Sequence, residues 1–338
     1  MNNHDRFPKR LSYAALAVAA GCLIALLSAS PRLGQTQKEE PLPTGPTLKI
    51  STDVVSVYAV VKERKGRLIP SLTRDDFEVA EDNAPQQILY FDKETQTPLT
   101  MGVLVDTSPS QQRVLPIEQA EAKNFIDQVV RPKDLAFVLH FDLEVELLQD
   151  FTSDHRLLAH AIDETVINGG GQGVMPGPFP STSVGGTHLH DAVYLAAKEL
   201  LKNEVGRKVL IILSDGEDQG SRVKLENALE AAQKSDVIIY SVVIADTGFY
   251  WHQGGFYTGD STLKKYSEDT GGRVIRVGRA GDTSKAFQEI AEELRTQYLL
   301  GYTTTNKKHD GGFRKIRVRV RSGDYKVQAR RGYYAPID

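Results

Sequence analysis

The stretch Met101-Gly102-Val103-Leu104-Val105-Asp106-Thr107-Ser108-Pro109-Ser110 joins an apolar run to a short polar turn. The run has the length of a buried strand, and the turn carries an oxygen-bearing side chain at every second position, in the spacing D-x-S-x-S. The pattern returns at Val209–Leu213, which leads into Ser214-Asp215-Gly216-Glu217-Asp218. Further apolar runs, each short enough for a strand, occupy 135–141, 237–244 and 274–277. Helical periodicity is predicted over 116–130, 157–167, 189–202, 224–234, 261–268 and 284–297. In the third of these, Leu189, Val193, Ala196, Ala197, Leu200 and Leu201 recur at three- and four-residue spacing and mark one buried face. Apolar strands separated by amphipathic helices predict a doubly wound α/β fold over 97–300, a mostly parallel sheet with helices on both faces. Such sheets take ligands at the carboxyl ends of their strands, where the strand order reverses. The Asp106 and Asp215 turns both follow strands, and Gly185-Gly186-Thr187 opens the helix that carries Asp191.

Outward from this core the rhythm changes. Residues 47–96 are strand-rich: Thr52 to Val61 is dense in β-branched residues, Lys65-Gly66 signals a turn, and Phe77-Glu78-Val79 and Ile88-Leu89-Tyr90-Phe91 follow. About fifty residues make a thin core alone, so this β-rich N-terminal segment is expected to pack on its neighbour. Residues 301–338 form a β-rich C-terminal segment. There Ile316, Val318 and Val320 alternate with Arg317, Arg319 and Arg321, Ser322-Gly323-Asp324 turns the chain, and Tyr325 to Ala329 returns, which predicts a hairpin with one apolar face. Between Lys307 and Asp338 ten Lys or Arg stand against three Asp, a net of +7. The arginine face could meet an anionic envelope surface or an acidic partner, but a solvated strand face, or pairing with acids of the main domain, is the commoner use of such a run.

The N-terminus sets the expected compartment. Arg6, Lys9 and Arg10 precede twenty uncharged residues, Leu11 to Ser30. At about 1.5 Å per residue such a segment can cross a bilayer core of about 30 Å. It reads as a signal peptide or a membrane anchor over 1–30, and 31–46 as a Pro-rich linker. Ser28-Ala29-Ser30 offers small residues for cleavage, against which Pro31 would stand at +1. Either reading puts the remainder outside the cytoplasm, in the cell envelope or beyond it. The single cysteine, Cys22, lies within the apolar segment, so the expected exported part has no thiol.

Composition narrows the function. The chain of 338 residues is 40% hydrophobic and 25% charged, as an ordinary globular protein is. One cysteine excludes a disulfide framework and a Cys-rich metal site. A net charge of −3 excludes a globally basic nucleic-acid binder. No G-x-S-x-G elbow and no assignable Ser/His/Asp triad is present, and the Gly-rich stretch 168–186 lacks the G-K-[S/T] of a phosphate loop. What remains is a set of short oxygen side chains at strand ends, which suits a hard divalent cation. With only two carboxylates, Asp106 and Asp215, the ion would keep positive charge and attract an incoming carboxylate.

Asp106-x-Ser108-x-Ser110, Thr187 in its Gly-Gly-Thr turn and Asp215 in Ser-Asp-Gly-Glu-Asp resemble, in order and spacing, the metal-ion-dependent adhesion site of von Willebrand factor type A domains. The resemblance covers 97–300. The flanking Asp75-Asp76-Phe77-Glu78-Val79, Gln297 to Tyr302 and Gly332-Tyr333-Tyr334 look like a group of bacterial envelope proteins related to that family. The resemblance implies that Ser108, Ser110 and Thr187 bind Mg²⁺ or Mn²⁺ through hydroxyl oxygens. Asp106 and Asp215 would act mainly through water, and an acidic side chain of a protein partner would complete the shell. Thr187 would coordinate directly in one state and through water in another. Pro109 stands where Gly is common in the family, and its fixed φ predicts a stiffened loop.

Two other classes stay open. His188 and His190 could bind zinc and make the chain a metal-dependent hydrolase, although residues two apart at a helix start point in different directions. The chain could also be a structural envelope component whose site is vestigial; metal-independent binding would indicate that. Tyr250 and Trp251, in the aromatic loop after the 237–244 strand, and His188 on the rim are candidate partner-binding residues, with inward packing of the aromatics as the alternative.

Overall fold

The computed structural model describes residues 54–93, 97–167, 186–243, 259–277 and 280–337. The N-terminal segment 1–53 and the aromatic loop with Tyr250 and Trp251 lie outside the described residues. In chain order the elements are β1 (Val54–Glu63), β2 (Phe77–Glu81), β3 (Ala84–Gln86), β4 (Ile88–Lys93), β5 (Leu99–Asp106), α1 (Leu115–Val129), β6 (Leu135–Phe141), β7 (Val145–Thr152), α2 (His155–Asp163) and α3 (Leu189–Leu195). There follow β8 (Arg207–Leu213), α4 (Leu225–Lys234), β9 (Val237–Val243), α5 (Gly259–Thr270), β10 (Val274–Arg276), α6 (Ala280–Arg295), β11 (Tyr298–Thr303), β12 (Phe313–Val320), β13 (Tyr325–Ala329) and β14 (Gly332–Tyr334).

The central sheet runs β10-β9-β8-β5-β6-β7. Its strands are parallel except β7, which pairs antiparallel with β6 at the edge. Helices cover both faces, as the alternation of apolar strands and helices requires. On one face Met101, Val103 and Val105 of β5 pack with Phe125 and Ile126 of α1, Leu158 of α2 and Phe287 of α6. On the other, Leu104 packs with Val193 of α3, Leu229 of α4 and Leu263 of α5. Gly102 is needed on that second face, where a Cβ would lie 2.2 Å from the Phe137 ring and 2.6 Å from Leu210. The predicted helix over 189–202 is interrupted: beyond Leu195 the turn widens, and Leu201 N–H donates to the carbonyl of Ala196 at 2.9 Å. Strand β7 escaped the sequence reading because its edge position leaves it half-exposed and polar.

The flanks build one β-sandwich from both ends of the described chain. One sheet is β13-β1-β11-β4 and the other β14-β12-β2-β3. Val55, Val57, Phe77, Val79, Leu300 and Ile316 are among the residues that fill the space between them. Glu81 is buried there and accepts from the hydroxyls of Tyr302 at 2.8 Å, Tyr333 at 3.0 Å and Thr304 at 2.6 Å. The expected C-terminal hairpin does not form. Strand β12 pairs with β2 and β14, and β13 pairs with β1. Ser322-Gly323-Asp324 therefore carries the chain across the sandwich, so that Val318 and Val320 meet Val327 and Ala329 face to face in the core instead of side by side in one sheet.

Candidate metal centre

Strand β5 sits between β6 and β8, so the chain leaves it in one direction and later returns on the other side. The carboxyl ends of β5 and β8 therefore meet at the point where the strand order reverses. Asp106 ends β5 and Asp215 lies just past the end of β8. Both are buried. After Asp106 the backbone turns sharply. Pro109, with its preset φ, opens a single tight turn over Pro109–Gln111, for which extended Ser108 is the cap.

That turn brings the oxygens together. Ser108 N–H donates to Asp106 Oδ1 at 2.9 Å, and the hydroxyls of Ser108 and Ser110 lie 3.0 Å apart. The other oxygen, Asp106 Oδ2, accepts from Ser214 Oγ at 2.6 Å. Gln111 Nε2 closes the ring, donating to Asp215 Oδ2 at 2.7 Å and to Ser110 Oγ at 3.3 Å. Asp106, Ser108, Ser110 and Asp215 are thus one connected cluster. Thr187 reaches the same rim by another route: its backbone exchanges hydrogen bonds with Gln219, at 3.0 and 2.9 Å, in the loop that starts at Asp215. No hydrogen bond joins its hydroxyl to the other four among the described residues.

The two histidines diverge. His190 Nδ1 lies 3.0 Å from the Tyr266 hydroxyl and 3.7 Å from Asp218 Oδ1. Burial holds its pKa below the usual value, against the pull of Asp218, Glu226 and Asp191. His188 donates its backbone N–H to the Asp142 carbonyl at 2.7 Å, and its ring lies against Gly220. No group of three or more His, Cys, Asp or Glu suited to a metal occurs among the described residues, so oxygens of the hydroxyl-and-carboxylate cluster are the donors on offer.

Three participants were missed by the sequence reading. Gln111 is fully buried, and its Oε1 has no hydrogen-bond partner. Asp142, past the end of β6, accepts from Thr107 Oγ1 at 2.9 Å and so fastens the Asp106 turn to the next strand. Glu118 is fully buried on α1, and neither of its carboxyl oxygens has a hydrogen-bond partner among the described residues. Helix register could have revealed Glu118: it shares the inward stripe with Leu115, Ala122, Phe125, Ile126 and Val129 and is its one charged member.

Negative charge is crowded here. Burial, and then the charge of Asp215, push the Asp106 carboxyl up to about 7, although Ser108 and Ser214 donate to it. Burial, and then the charges of Asp106 and Asp215, hold Glu118 well above the ordinary carboxyl range. No ion pair to Asp106 or Glu118 occurs among the described residues. A buried, undercompensated set of hard oxygens fits a divalent cation in both chemistry and charge.

No family model matches the chain, and no curated protein matches it. Solved structures of similar fold include the von Willebrand factor type A protein from Catenulispora acidiphila, 10% identical over 85% of this chain and 75% of that one, with a TM-score of 0.46. BatB from Bacteroides thetaiotaomicron is 16% identical over 58% of this chain and 98% of its own, with a TM-score of 0.43. Proximal thread matrix protein 1 from the mussel byssus, in a form with a zinc-occupied MIDAS motif, is 17% identical over 65% of this chain, with a TM-score of 0.47. The match spans 50% of the mussel protein's length. These likenesses concern fold; the reading of the site rests on this chain's own residues.

Proposed function

We propose that this chain, whose α/β unit has the von Willebrand factor type A fold, is a metal-dependent binding protein. Asp106, Ser108, Ser110, Thr187 and Asp215 would hold Mg²⁺ or Mn²⁺ at the carboxyl ends of β5 and β8. When bound, the ion supplies a Lewis-acidic positive charge that attracts an exposed Asp or Glu of a protein partner. The chain's own part is positional. The Pro109 turn fixes the two serine hydroxyls, Ser214 and the Ser108 N–H orient Asp106, and Gln111 orients Asp215. The observation that carries the reading is the joined cluster of buried hydroxyl and carboxylate oxygens around Asp106, which itself has no ion pair among the described residues. The engagement of the His190 ring by Tyr266 and Asp218 favours binding over zinc-dependent hydrolysis. The basic flank and apolar stretch of residues 1–30 support export with a tether or a cleaved leader, in the domain order read from the sequence.

Calorimetric titration with Mg²⁺ and Mn²⁺ tests the site, and capture of envelope proteins with and without EDTA tests the docking. Ser110→Ala removes one hydroxyl ligand without altering charge, and partner affinity should fall about ten- to a hundredfold, the worth of a charge-assisted contact of about 1.5–3 kcal/mol. A partner held equally well in EDTA and by Ser110→Ala would exclude the cluster as its docking point.

A further inference from the structure

A second surface lies on the sandwich, in the outer face of the β14-β12-β2-β3 sheet. Alternate residues of β12 face outward there, and Arg317 and Arg319 are exposed. Across the sheet Arg317 stands opposite Ala80 of β2, and Ala80 stands opposite Pro85 of β3. One long cationic side chain thus borders two short ones, which leaves a trough over β2 and β3. It has a volume of about 490 Å³, and Arg74, Arg317, Arg319 and Arg321 line it.

The trough also holds two acids, each in one exposed arginine contact, and Glu78 stands opposite Arg319 in register. Asp75 Oδ1 pairs with Arg74 at 3.4 Å and Glu78 Oε1 with Arg321 at 3.7 Å. The two central arginines, Arg317 and Arg319, have no acidic partner among the described residues. The sequence reading favoured a solvated face or pairing with acids of the main domain. The structure agrees with the solvated face, since both guanidiniums are exposed, and sets them along the wall of a concave surface.

We infer that this trough docks an extended acidic peptide segment of a partner, with acidic residues at alternate positions facing Arg317 and Arg319. The spacing selects the occupant. Same-face residues on a strand repeat at about 6.6–6.8 Å, so the period of the arginines equals the period of side chains on an extended peptide laid alongside β12. Each guanidinium can take one carboxylate in a two-pronged contact. An anionic membrane surface has no period to match. The trough is built on the sandwich and uses no residue of the Asp106 cluster.

The test uses the full chain in EDTA, so that its outcome is independent of the metal site. Fluorescence anisotropy compares a labelled peptide of four Glu-Thr repeats with one of two Glu-Glu-Thr-Thr repeats, equal in length and charge. The alternating peptide should bind at least tenfold more tightly. The exposed double substitution Arg317→Gln/Arg319→Gln should remove at least tenfold of that affinity with an unchanged melting curve, while Arg64→Gln/Lys65→Gln, which removes the same charge elsewhere, stays within twofold. Equal binding of the two peptides, or equal losses in the two double variants, would reduce the effect to net charge and overturn the inference. Polyphosphate or phosphatidylglycerol vesicles bound more tightly than the peptide, through the same two arginines, would overturn the choice of occupant.

Discussion

Replacing Asp106 with Asn should stabilise the metal-free protein above neutral pH. The Asp106 carboxyl, pushed up to about 7 by burial and by Asp215, returns to its ordinary 3.8 when the chain unfolds. Folding therefore binds a proton between these values. The buried carboxyl carries no penalty below about pH 4, an increasing one as pH rises toward 7, and a constant one above that. At about 1.4 kcal/mol per pH unit, the interval from 3.8 to about 7 amounts to about 4 kcal/mol. Asn keeps the shape: Ser108 N–H still has an oxygen to meet, and the Ser214 hydroxyl, now a donor, can rotate to accept. The amide brings two N–H donors where only the Ser214 oxygen stands ready to accept, and the buried donor left over returns about 1–2 kcal/mol of the gain. A net of about 2–3 kcal/mol at pH 8 corresponds to about 5–10 °C in Tm for a unit of this size. Thermal unfolding in EDTA at pH 5 and pH 8 reads this directly. The two proteins should melt together at pH 5 and separate at pH 8, with Asp106→Asn the higher. Saturating Mg²⁺ should raise the wild type and leave the variant where it was. Asp106→Asn melting below the wild type at both pH values in EDTA would show that the buried charge is compensated and the reasoning wrong.

Two further outcomes follow from the fold and from the apolar stretch 11–30. Gly272→Ala should destabilise strongly, by about 3 kcal/mol or more, because its Cβ would lie 1.9 Å from the carbonyl oxygen of Ile239 in β9, and backbone cannot yield as a side chain can; a denaturant midpoint within error of wild type would contradict that packing. If residues 11–30 remain as an anchor, the chain should stay with membranes after carbonate washing, whereas a soluble form beginning near Pro31 would establish cleavage.

The α/β unit was legible because its inner strands β5, β6, β8 and β9 are nearly unbroken apolar runs, buried on both faces, and its helices keep an apolar stripe. Leu135–Phe141 matches the predicted strand residue for residue. The sandwich was less legible. Alternation at Ile316, Val318 and Val320 tells which face is buried but not which strand lies alongside, so two neighbours in sequence were paired when the core needed them opposed. The Asp106, Ser108 and Ser110 turn was readable because oxygen-bearing residues at alternate positions follow a buried apolar strand, and Asp215 because it follows another. Gln111 was not, since its importance lies in a contact to Asp215 from across the fold, and Glu118 was marked only by its place on the inward stripe of α1.

The sandwich closes the chain on itself. The strand that leads out of the N-terminal segment, β1, is held on one side by β11 and on the other by β13, both from the far end of the sequence. A pull on the backbone at Val54 would therefore load two ladders at once. Because the pull runs along β1, it would shear their hydrogen bonds together rather than unzip them one by one. Strand β11 continues directly from α6, so the load enters the α/β unit there. A protein that held a partner at the Asp106 rim while tethered at its other end would take up tension through a strand laddered on both sides, and the rim residues that grip the partner would carry the same load.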